Sequence, residues 1–298
     1  MQNWKKLGLI YNADNYSSVP IGHFISKNII RIFCSRRDAE NQSTPFFIDY
    51  NLESIKILNK QVINLDLGDA GTFDENGIMP TSLIIINSKL YLYYIGWNSG
   101  GSTPFRNAIG LAMSFDNGLT FKKHSNGPIL DRSIYDNCFV ASNCVIKDNG
   151  IYKMYYLSCG EWLNNNGKLK HKYNIKYAES NDGINWKREG IVAIDFKYKH
   201  EYAISVPRVV KEDDIFKMWY SYRGIEESDS YRIGYAESND GKVWNRKDDE
   251  IIFTGENESW DSKMMCYPFI YDYNKNRFML YNGNEYGKSG IGLAILEK

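Results

Sequence analysis

The 298-residue sequence has no excess of charge of either sign, because 36 Lys and Arg residues are matched by 36 Asp and Glu residues. A surface that follows phosphate groups normally needs a basic excess or a basic cluster, so no nucleic-acid partner is expected. The sequence also lacks any run of about 18 apolar residues, the length of a membrane span, and its start lacks the apolar stretch of a secretion signal. We therefore expect a cytoplasmic protein with no membrane partner.

Cysteine is scarce and scattered. The five cysteines form no Cys-x-x-Cys pair, the spacing typical of zinc and redox sites, so free buried thiols are the simplest interpretation. No cofactor is required by any cluster of ligand-type residues in the sequence. The cysteines are Cys34, Cys138, Cys144, Cys159 and Cys266.

Aromatic residues are abundant, with 23 Tyr, 14 Phe and 7 Trp, whereas runs of the helix-favouring residues Ala and Leu are few. Tyrosine-rich chains of this kind favour strands. The hydrophobic fraction of 43% is enough for a substantial core. The composition therefore predicts a globular, mostly β protein.

A repeat of about sixty residues organises the chain. Three segments, 109–123, 175–188 and 233–246, share apolar alternation, a Ser-x-Asp-Gly-type turn and a closing aromatic, Phe121, Trp186 or Trp244. Upstream of such segments lie hairpin-like runs, with two strands joined by a short polar turn, at 23–35, 81–96, 143–158, 207–222 and 268–283. Each repeat thus holds strands a, b, c and a short d, which is the pattern of a β-propeller blade.

The two ends of the chain complete each other. The last copy stops after strand c, at 290–298, and the missing strand d matches the N-terminal segment 3–10, which resembles 185–192. Pairing these ends would close the ring and remove open sheet edges. The sequence predicts an all-β, five-bladed β-propeller, with 1–298 as a single domain.

Strand polarity predicts where binding occurs. The b-to-c loops and the d-to-a junctions share one face of the propeller, and the loops there are long, at 97–107, 160–173 and 223–231. The turns on the opposite face are short. Long loops on one face of a rigid scaffold usually carry the binding site. An Asp-box-like turn at 114–121 lies on the opposite face, so it indicates blade packing rather than sialidase activity.

An acidic residue precedes each strand a. The five are Asp14, Asp74, Asp136, Glu201 and Asp261. One interpretation is that short acidic side chains cap the blades through backbone hydrogen bonds, which we favour for Asp74 and Asp261. The other is glycoside chemistry, which needs one protonated acid and one ionised carboxylate near the propeller axis. Crowding of like charges would keep one of them protonated.

The aromatic-Asp starts, the KMYY and KMWY segments of strand b and the AESNDG turns give the chain a resemblance to known enzymes. Over nearly its whole length it resembles the five-bladed propeller glycosidases, namely the arabinanase and xylosidase group (glycoside hydrolase family 43) and the invertase and levansucrase group. It is most similar to single-domain propellers from bacterial surface-polysaccharide gene clusters. The resemblance implies a general base at Asp14, an orienting Asp at Asp136 and a general acid at Glu201. It also implies a carbohydrate substrate, and it allows a structural cation near the axis.

Further substrate contacts are expected from charged and aromatic side chains on the same face. Arg208 and Arg223 could clamp a sugar carboxylate or a phosphate, and Trp97 and Trp162 could stack on sugar rings. His23 could line the pocket or be a core histidine. The remaining candidates are Arg36, Arg37, Asp38, Asp74, Glu75, Asp261 and Glu285.

Three functions fit these features. The first is a glycoside hydrolase or transglycosidase that acts on a bacterial glycan or its precursor. The second is a phosphorylase, in which arginine residues hold the inorganic phosphate that replaces water. The third is a carbohydrate-binding propeller without catalysis.

Overall fold

The computed structural model describes residues 1–13, 15–224, 229–255 and 258–297. Strand β1 (Gln2–Tyr11) opens the chain, and the strands that follow form antiparallel groups in sequence order. The first four groups are blades 1 to 4. Blade 1 contains β2 (Ser18–Phe24), β3 (Ile29–Arg37), β4 (Ser43–Asn51) and β5 (Lys56–Val62), and blade 2 contains β6 (Gly77–Ile86), β7 (Lys89–Asn98), β8 (Arg106–Ser114) and β9 (Lys122–Lys123). Blade 3 contains β10 (Phe139–Asp148), β11 (Ile151–Asn165), β12 (Lys168–Ser180) and β13 (Lys187–Ile194), and blade 4 contains β14 (Ala203–Glu212), β15 (Ile215–Arg223), β16 (Arg232–Ser238) and β17 (Asn245–Arg246).

The fifth group combines both ends of the chain. It contains β18 (Ile251–Thr254), β19 (Cys266–Tyr273), β20 (Asn276–Asn282) and β21 (Ile291–Leu296), together with β1. Strand β1 runs antiparallel to β21, from the pair Trp4 and Leu296 to the pair Tyr11 and Ile291. The N-terminal strand therefore completes the last blade, as the sequence predicts. A 3₁₀ helix (Asp248–Glu250) and the helix α1 (Asn284–Gly287) are short additions.

Tight turns join the inner strand of a blade to the next strand. In blades 2, 3 and 5 the two central turn residues have positive φ: Asn87 and Ser88, Asn149 and Gly150, and Asn274 and Lys275. This geometry matches the right-handed twist of the paired strands, and Asn and Gly tolerate it well. The polar dipeptides seen in the sequence thus fix the register of these hairpins.

Hydroxyl groups connect neighbouring blades at their cores. Tyr93 of blade 2 donates to the Gly183 carbonyl oxygen of blade 3 at 2.7 Å, and Tyr155 of blade 3 donates to the Gly241 carbonyl oxygen of blade 4 at 2.9 Å. Both acceptors lie in the repeated Ser-x-Asp-Gly-type turns. Trp219 Nε1 of blade 4 donates to Gln2 Oε1 at 3.0 Å, which attaches β1 to its neighbour. The repeated turns therefore serve packing between blades.

The five cysteines are all unpaired, and four of them are buried. Among the described residues, no group of three or more His, Cys, Asp or Glu side chains is arranged to hold a metal ion. In the same part of the chain, no helix has the length and apolar character needed to cross a membrane.

Candidate functional site

A pocket of about 500 Å³ lies where the five inner strands β2, β6, β10, β14 and β19 begin. We call it the axial pocket. It is on the face that carries the long loops, as expected from the sequence. Its aromatic and polar lining comes from all five blades and includes Arg37, Asn41, Trp97, Phe105, Asn107, Phe139, Ser142, His171, Tyr173, Ser205, Tyr231 and Tyr267. None of the described residues that line it is a carboxylate.

Strained backbone forms part of the pocket wall. Val19, Val206 and Tyr267 all line the pocket with φ between 49° and 57°, a region that β-branched and bulky residues rarely adopt. Each precedes a proline in a strand whose pairing is bulged at that point. The neighbouring blades hold their N–H groups: Val19 donates to Asn282 Oδ1 (2.8 Å), Val206 to Ser142 Oγ (3.0 Å) and Tyr267 to Ser221 Oγ (2.7 Å). Such strain concentrates at functional sites, which supports the axial pocket as the site.

Arg223 occupies an aromatic cage beside the pocket. Its Nη1 donates to the Tyr286 hydroxyl at 2.8 Å and its Nη2 to His171 Nε2 at 2.9 Å, while its buried Nε has no hydrogen-bond partner among the described residues. The rings of Tyr202, Tyr231 and Tyr286 lie 4.6 to 5.7 Å from the guanidinium carbon. No carboxylate in the described part of the chain lies within ion-pair distance of Arg223. No carboxylate among the described residues therefore balances its positive charge.

His171 is neutral at neutral pH. Burial, together with the nearby positive charges of Arg223 and Lys170, lowers the pKa of His171 to about 4. Because a guanidinium can only donate, His171 Nε2 accepts the bond from Arg223 and the ring hydrogen is assigned to Nδ1. The imidazole stacks on Tyr173 at 4.6 Å, which fixes its plane. The pocket thus contains a neutral, oriented hydrogen-bond donor.

Arg37 supplies a second cation to the pocket from blade 1. Its Nη1 donates to Asn41 Oδ1 at 2.8 Å, and its guanidinium lies over the Tyr16 ring at 5.1 Å. Neither partner is charged. Arg37 in the wall and Arg223 beside the pocket thus carry positive charge that no described carboxylate balances, so the site favours an anionic ligand.

The described acidic residues that precede strand a do not line the axial pocket, and each is held by hydrogen bonds and ion pairs. In blade 2, Asp74 Oδ2 accepts the Tyr94 hydroxyl of β7 at 3.0 Å and pairs with Lys123 Nζ of β9 at 2.7 Å. In blade 5, Asp261 Oδ2 accepts the Tyr281 hydroxyl at 3.0 Å and pairs with Lys6 at 2.9 Å. We call this arrangement, a carboxylate held by a tyrosine of strand b and a cation of strand d, a clasp. Asp74 and Asp261 are therefore structural.

Asp136 forms the clasp of blade 3. It accepts the hydroxyls of Tyr156 (3.2 Å), Ser158 (2.6 Å) and Ser133 (2.8 Å), and it pairs with Arg188 Nη1 at 2.8 Å. Burial, followed by the nearby charge of Asp136, raises the pKa of Tyr156, so the phenol remains a donor. All of the carboxylate's partners belong to its own blade.

In blade 4 the clasp is divided between Glu201, which pairs with the cation Arg246, and Asp248, which also accepts the tyrosine hydroxyl. Its two oxygens accept Nη1 and Nη2 of Arg246 at 2.8 and 2.9 Å, and Oε2 also accepts the Lys197 N–H at 2.7 Å. Asp248 binds the same Arg246 and accepts the Tyr220 hydroxyl at 2.5 Å. The structure therefore does not bring Asp136 and Glu201 together at the axial pocket. Their expected catalytic roles stay predictions, which the clasp geometry does not favour because every carboxylate oxygen is occupied.

The other predicted residues are dispersed. Asp14 lies outside the described residues. Trp97 lines the pocket and donates to Ser43 Oγ at 3.1 Å, whereas Trp162 packs behind the lining, 5.2 Å from Phe105. The expectation that His23 lines the pocket is corrected by the structure. Strand β2 runs away from the pocket, and five residues of strand, about 16 Å, separate His23 from Ser18. Its Nε2 instead bonds Asn117 on the opposite face at 2.6 Å.

Four further candidates use their polar groups locally: Arg36 near the end of β3, Glu285 in α1, and Asp38 and Glu75 in loops. Arg36 Nε donates to Thr44 Oγ1 (3.3 Å), Asp38 accepts the Gln42 N–H (2.7 Å), Glu75 accepts the Gly71 N–H (2.6 Å) and Glu285 pairs with Lys288 (3.1 Å). None of these four lines the axial pocket. Arg208 lies deeper on the axis and is buried. Its positive charge would repel a second cation, so this place does not suit the structural cation that the resemblance allows.

The chain has the fold of solved glycosidases. It matches a thermostable family-43 glycoside hydrolase with a TM-score of 0.69, at 19% identity, over 98% of this chain and 91% of the other. It matches the GH32 β-fructofuranosidase BmSUC1 of Bombyx mori with a TM-score of 0.65, at 14% identity, over 96% of this chain and 62% of the other. These likenesses confirm the predicted five-bladed propeller and its resemblance to both glycosidase groups.

Relatives found by sequence have higher identity to this chain than the two solved structures above. No family model matches the chain. A 1,2-beta-oligomannan phosphorylase of Thermoanaerobacter sp. (strain X514) is 29% identical over 134 residues, which cover 43% of this chain and 45% of the relative. "Uncharacterized protein Rv1502" of Mycobacterium tuberculosis is 34% identical over 305 residues, 99% of each chain. At this identity over the full length, the protein belongs to the same family as Rv1502, a family with the five-bladed propeller fold of glycoside hydrolases and phosphorylases.

Proposed function

We propose that the protein is a glycoside phosphorylase, in which inorganic phosphate attacks a sugar held in the axial pocket. The observation that carries this proposal is a pair of arginines, Arg37 in the pocket lining and Arg223 beside it, neither balanced by a described carboxylate, at a pocket whose described lining has no carboxylate. A hydrolase needs a second carboxylate to activate water or to act as nucleophile. A phosphorylase does not, because phosphate is itself the anionic nucleophile.

The described residues provide a cradle for phosphate. Arg223 Nε is buried with no hydrogen-bond partner among the described residues, and the neutral His171 has its Nδ1 hydrogen available to donate. A guanidinium suits phosphate because its N–H groups form a planar fork, and the charge-assisted bonds are strong. The aromatic lining, with Trp97, offers surfaces for the sugar rings.

The proposed acid is Asp14. The phosphate oxygen forms a bond to the anomeric carbon, the glycosidic C–O bond breaks, and the acid gives its proton to the departing oxygen. The products are a sugar 1-phosphate and a shortened glycan. The family resemblance implies proton transfer at Asp14, there as a general base, and we assign it the acid role because the clasps occupy Asp136 and Glu201. Chain position supports its place at the pocket, since the next residue, Asn15, accepts the Arg37 N–H at 3.1 Å through its carbonyl oxygen. As part of the proposal, we place this reaction in the cytoplasm, on a bacterial glycan or glycan precursor.

The test is phosphate dependence of turnover. Purified protein is incubated with 1,2-β-linked oligomannan, chosen because a relative is named for it, and with a panel of other β-linked oligosaccharides, each with and without inorganic phosphate. We expect a sugar 1-phosphate only when phosphate is present, and a much lower rate for Arg223→Gln. Equal turnover in water and in phosphate would overturn the proposal and favour the hydrolase or transglycosidase.

A second candidate is a carbohydrate-binding propeller without catalysis. It is favoured by the clasps, which occupy the carboxylates of Asp136 and Glu201. Saturable calorimetric binding of a glycan, with no product in either arm of the assay, would support this candidate.

A further inference from the structure

A second cavity, of about 140 Å³, lies on the propeller axis beneath the axial pocket. We call it the lower axial cavity. On each inner strand its lining begins two positions beyond the last residue that lines the pocket, so the two spaces are stacked along the axis. Its walls are mostly apolar, and the polar side chains among its described lining are Thr81, Ser82, Cys144 and Arg208.

Arg208 is the exceptional residue of this cavity, because its side chain is only half satisfied. It is 5% exposed. Its Nη1 donates to the carbonyl oxygens of Asn143 at 3.1 Å and Pro207 at 3.0 Å, whereas Nε and Nη2 have no hydrogen-bond partner among the described residues. No carboxylate in that part of the chain lies within ion-pair distance of it. The vacant nitrogens form the edge of the guanidinium that binds anions through two parallel bonds.

Arg31 shows how the same edge is satisfied elsewhere in the protein. It is as buried as Arg208, at 4% exposed. Its Nε and Nη2 donate to the two oxygens of Asp49 at 2.7 and 2.9 Å. The fold therefore buries one arginine with a built-in anion and the other without one.

The charge on Arg208 is retained. Burial lowers its pKa to about 10, which still leaves the guanidinium protonated at neutral pH. An unpaired buried charge is strongly unfavourable, so a balancing anion is required. Two neighbours can add donors: Ser82 Oγ accepts the Val145 N–H at 3.0 Å and Cys144 Sγ accepts the Val209 N–H at 3.3 Å, which leaves the hydroxyl and thiol hydrogens for a ligand.

We propose that the lower axial cavity binds one small monovalent anion, of the chloride class, on the Nε and Nη2 edge of Arg208. One guanidinium balances one negative charge. The apolar walls and the few donors suit a weakly hydrated ion better than a phosphate dianion, which needs more hydrogen bonds. Asn143 Oδ1 is also buried without a partner, and it can accept a bond from a water molecule that hydrates the anion. This site is separate from the glycosyl chemistry proposed above and does not depend on it.

Thermal unfolding tests the proposal without any substrate. Sodium gluconate is replaced stepwise by sodium chloride, sodium bromide or sodium phosphate at constant ionic strength. We expect chloride and bromide to raise Tm saturably by roughly 2–5 °C and gluconate to leave it unchanged. Any shift caused by phosphate should persist in Arg208→Met, because phosphate is proposed to bind in the axial pocket. Phosphate as the only stabilising ion would overturn the assignment to a monovalent anion. An absence of any saturable shift would overturn the site itself.

Two variants and one crystal locate the site. Arg208→Met should abolish the chloride-dependent shift, and the exposed Arg132→Met should keep it; a shift retained in Arg208→Met would contradict the proposal. Because Arg208→Met could fail to fold, the wild-type protein is also crystallised with bromide. An anomalous peak beside Arg208 Nε and Nη2 is expected, and bromide found only elsewhere would overturn the assignment.

Discussion

Blade 1 differs from blades 2, 3 and 5 in one residue of strand b. In blades 2, 3 and 5, strand b presents Tyr94, Tyr156 or Tyr281 to the carboxylate, whereas the corresponding residue of blade 1 is Cys34. Lys60 has the same register in blade 1, opposite Ile48, that Lys123 has in blade 2, opposite Ala112. Yet Lys60 lies over the Tyr11 ring at 5.5 Å, and no described carboxylate pairs with it.

The comparison distinguishes acidic residues that hold a blade together from the residue that we propose as the catalytic acid. A clasp neutralises its carboxylate and occupies its oxygens, so clasped residues hold a blade together and are unavailable for proton transfer. Blade 1 has Cys34 in place of that tyrosine, and this departure from the repeat supports our proposal of Asp14 as the acid.

The largest effect is expected from Asp14→Asn, which should lower turnover by a factor of about 10² to 10⁴ because the leaving oxygen loses its proton donor. The melting temperature should stay unchanged, since blade 1 has Cys34 in place of the tyrosine that holds the carboxylate in blades 2, 3 and 5. Phosphorylase rates and thermal unfolding measure the two effects. The matched control is Asp74→Asn in blade 2, which should lower the melting temperature and leave turnover nearly unchanged. The same pattern of turnover and melting temperature in both variants would contradict the distinction between the two carboxylates.

Arg246→Met should destabilise the protein by about 3–5 kcal/mol, because it leaves the buried carboxylates of Glu201 and Asp248 without their cation. Urea unfolding gives the free energy. The control is Lys60→Met, the matching position of blade 1, for which a change within about 0.5 kcal/mol is expected. A loss for Arg246→Met no larger than that for Lys60→Met would show that the clasp is not structural.

The pocket wall predicts a dependence of stability on pH. The folded pKa of His171, about 4, is below its unfolded value of 6.5. The contribution of His171 to the free energy of unfolding is therefore fully present above pH 6.5 and falls as the pH drops towards 4. Over this range the unfolded chain binds a proton at His171 that the folded protein does not bind. The full loss is roughly 3 kcal/mol. Unfolding at several pH values should show a shallower slope for His171→Phe and an unchanged slope for the exposed His124→Asn.

The smallest effect concerns single hydroxyls. Tyr156→Phe should cost about 1.5–3 kcal/mol, because its hydroxyl bonds the charged Asp136. Tyr50→Phe in blade 1 is the control: the Tyr50 hydroxyl is buried without a hydrogen-bond partner among the described residues, so its removal should be neutral or stabilising. Equal losses in chemical denaturation would erase the distinction between the blades.

Much of the fold could be predicted because it repeats. The turns near Asp116, Asp182 and Asp240 recur at fixed spacing, so strand order and ring closure followed from counting. The clasp partners were harder to foresee, because Lys123 and Arg188 meet their carboxylates only through strand register. The pocket residues His171, Tyr173 and Tyr231 were missed, since no local motif joins them. The Ser-Val-Pro triplets at 18–20 and 205–207, where the pocket backbone is strained, were the available signal.

The sequence by itself determined the architecture: apolar alternation, polar turns and complementary ends specify five blades and their closure, because each of these is a local property read along the chain. Only the tertiary structure decided the roles of the charged groups. The charge state and availability of Asp136, Glu201, Arg208 and Arg223 depend on what lies across a blade or across the axis, at distances in space that sequence spacing does not encode. Burial then sets the energetic cost of each unpaired charge, and so distinguishes the groups that stabilise the blades from those left to bind a ligand.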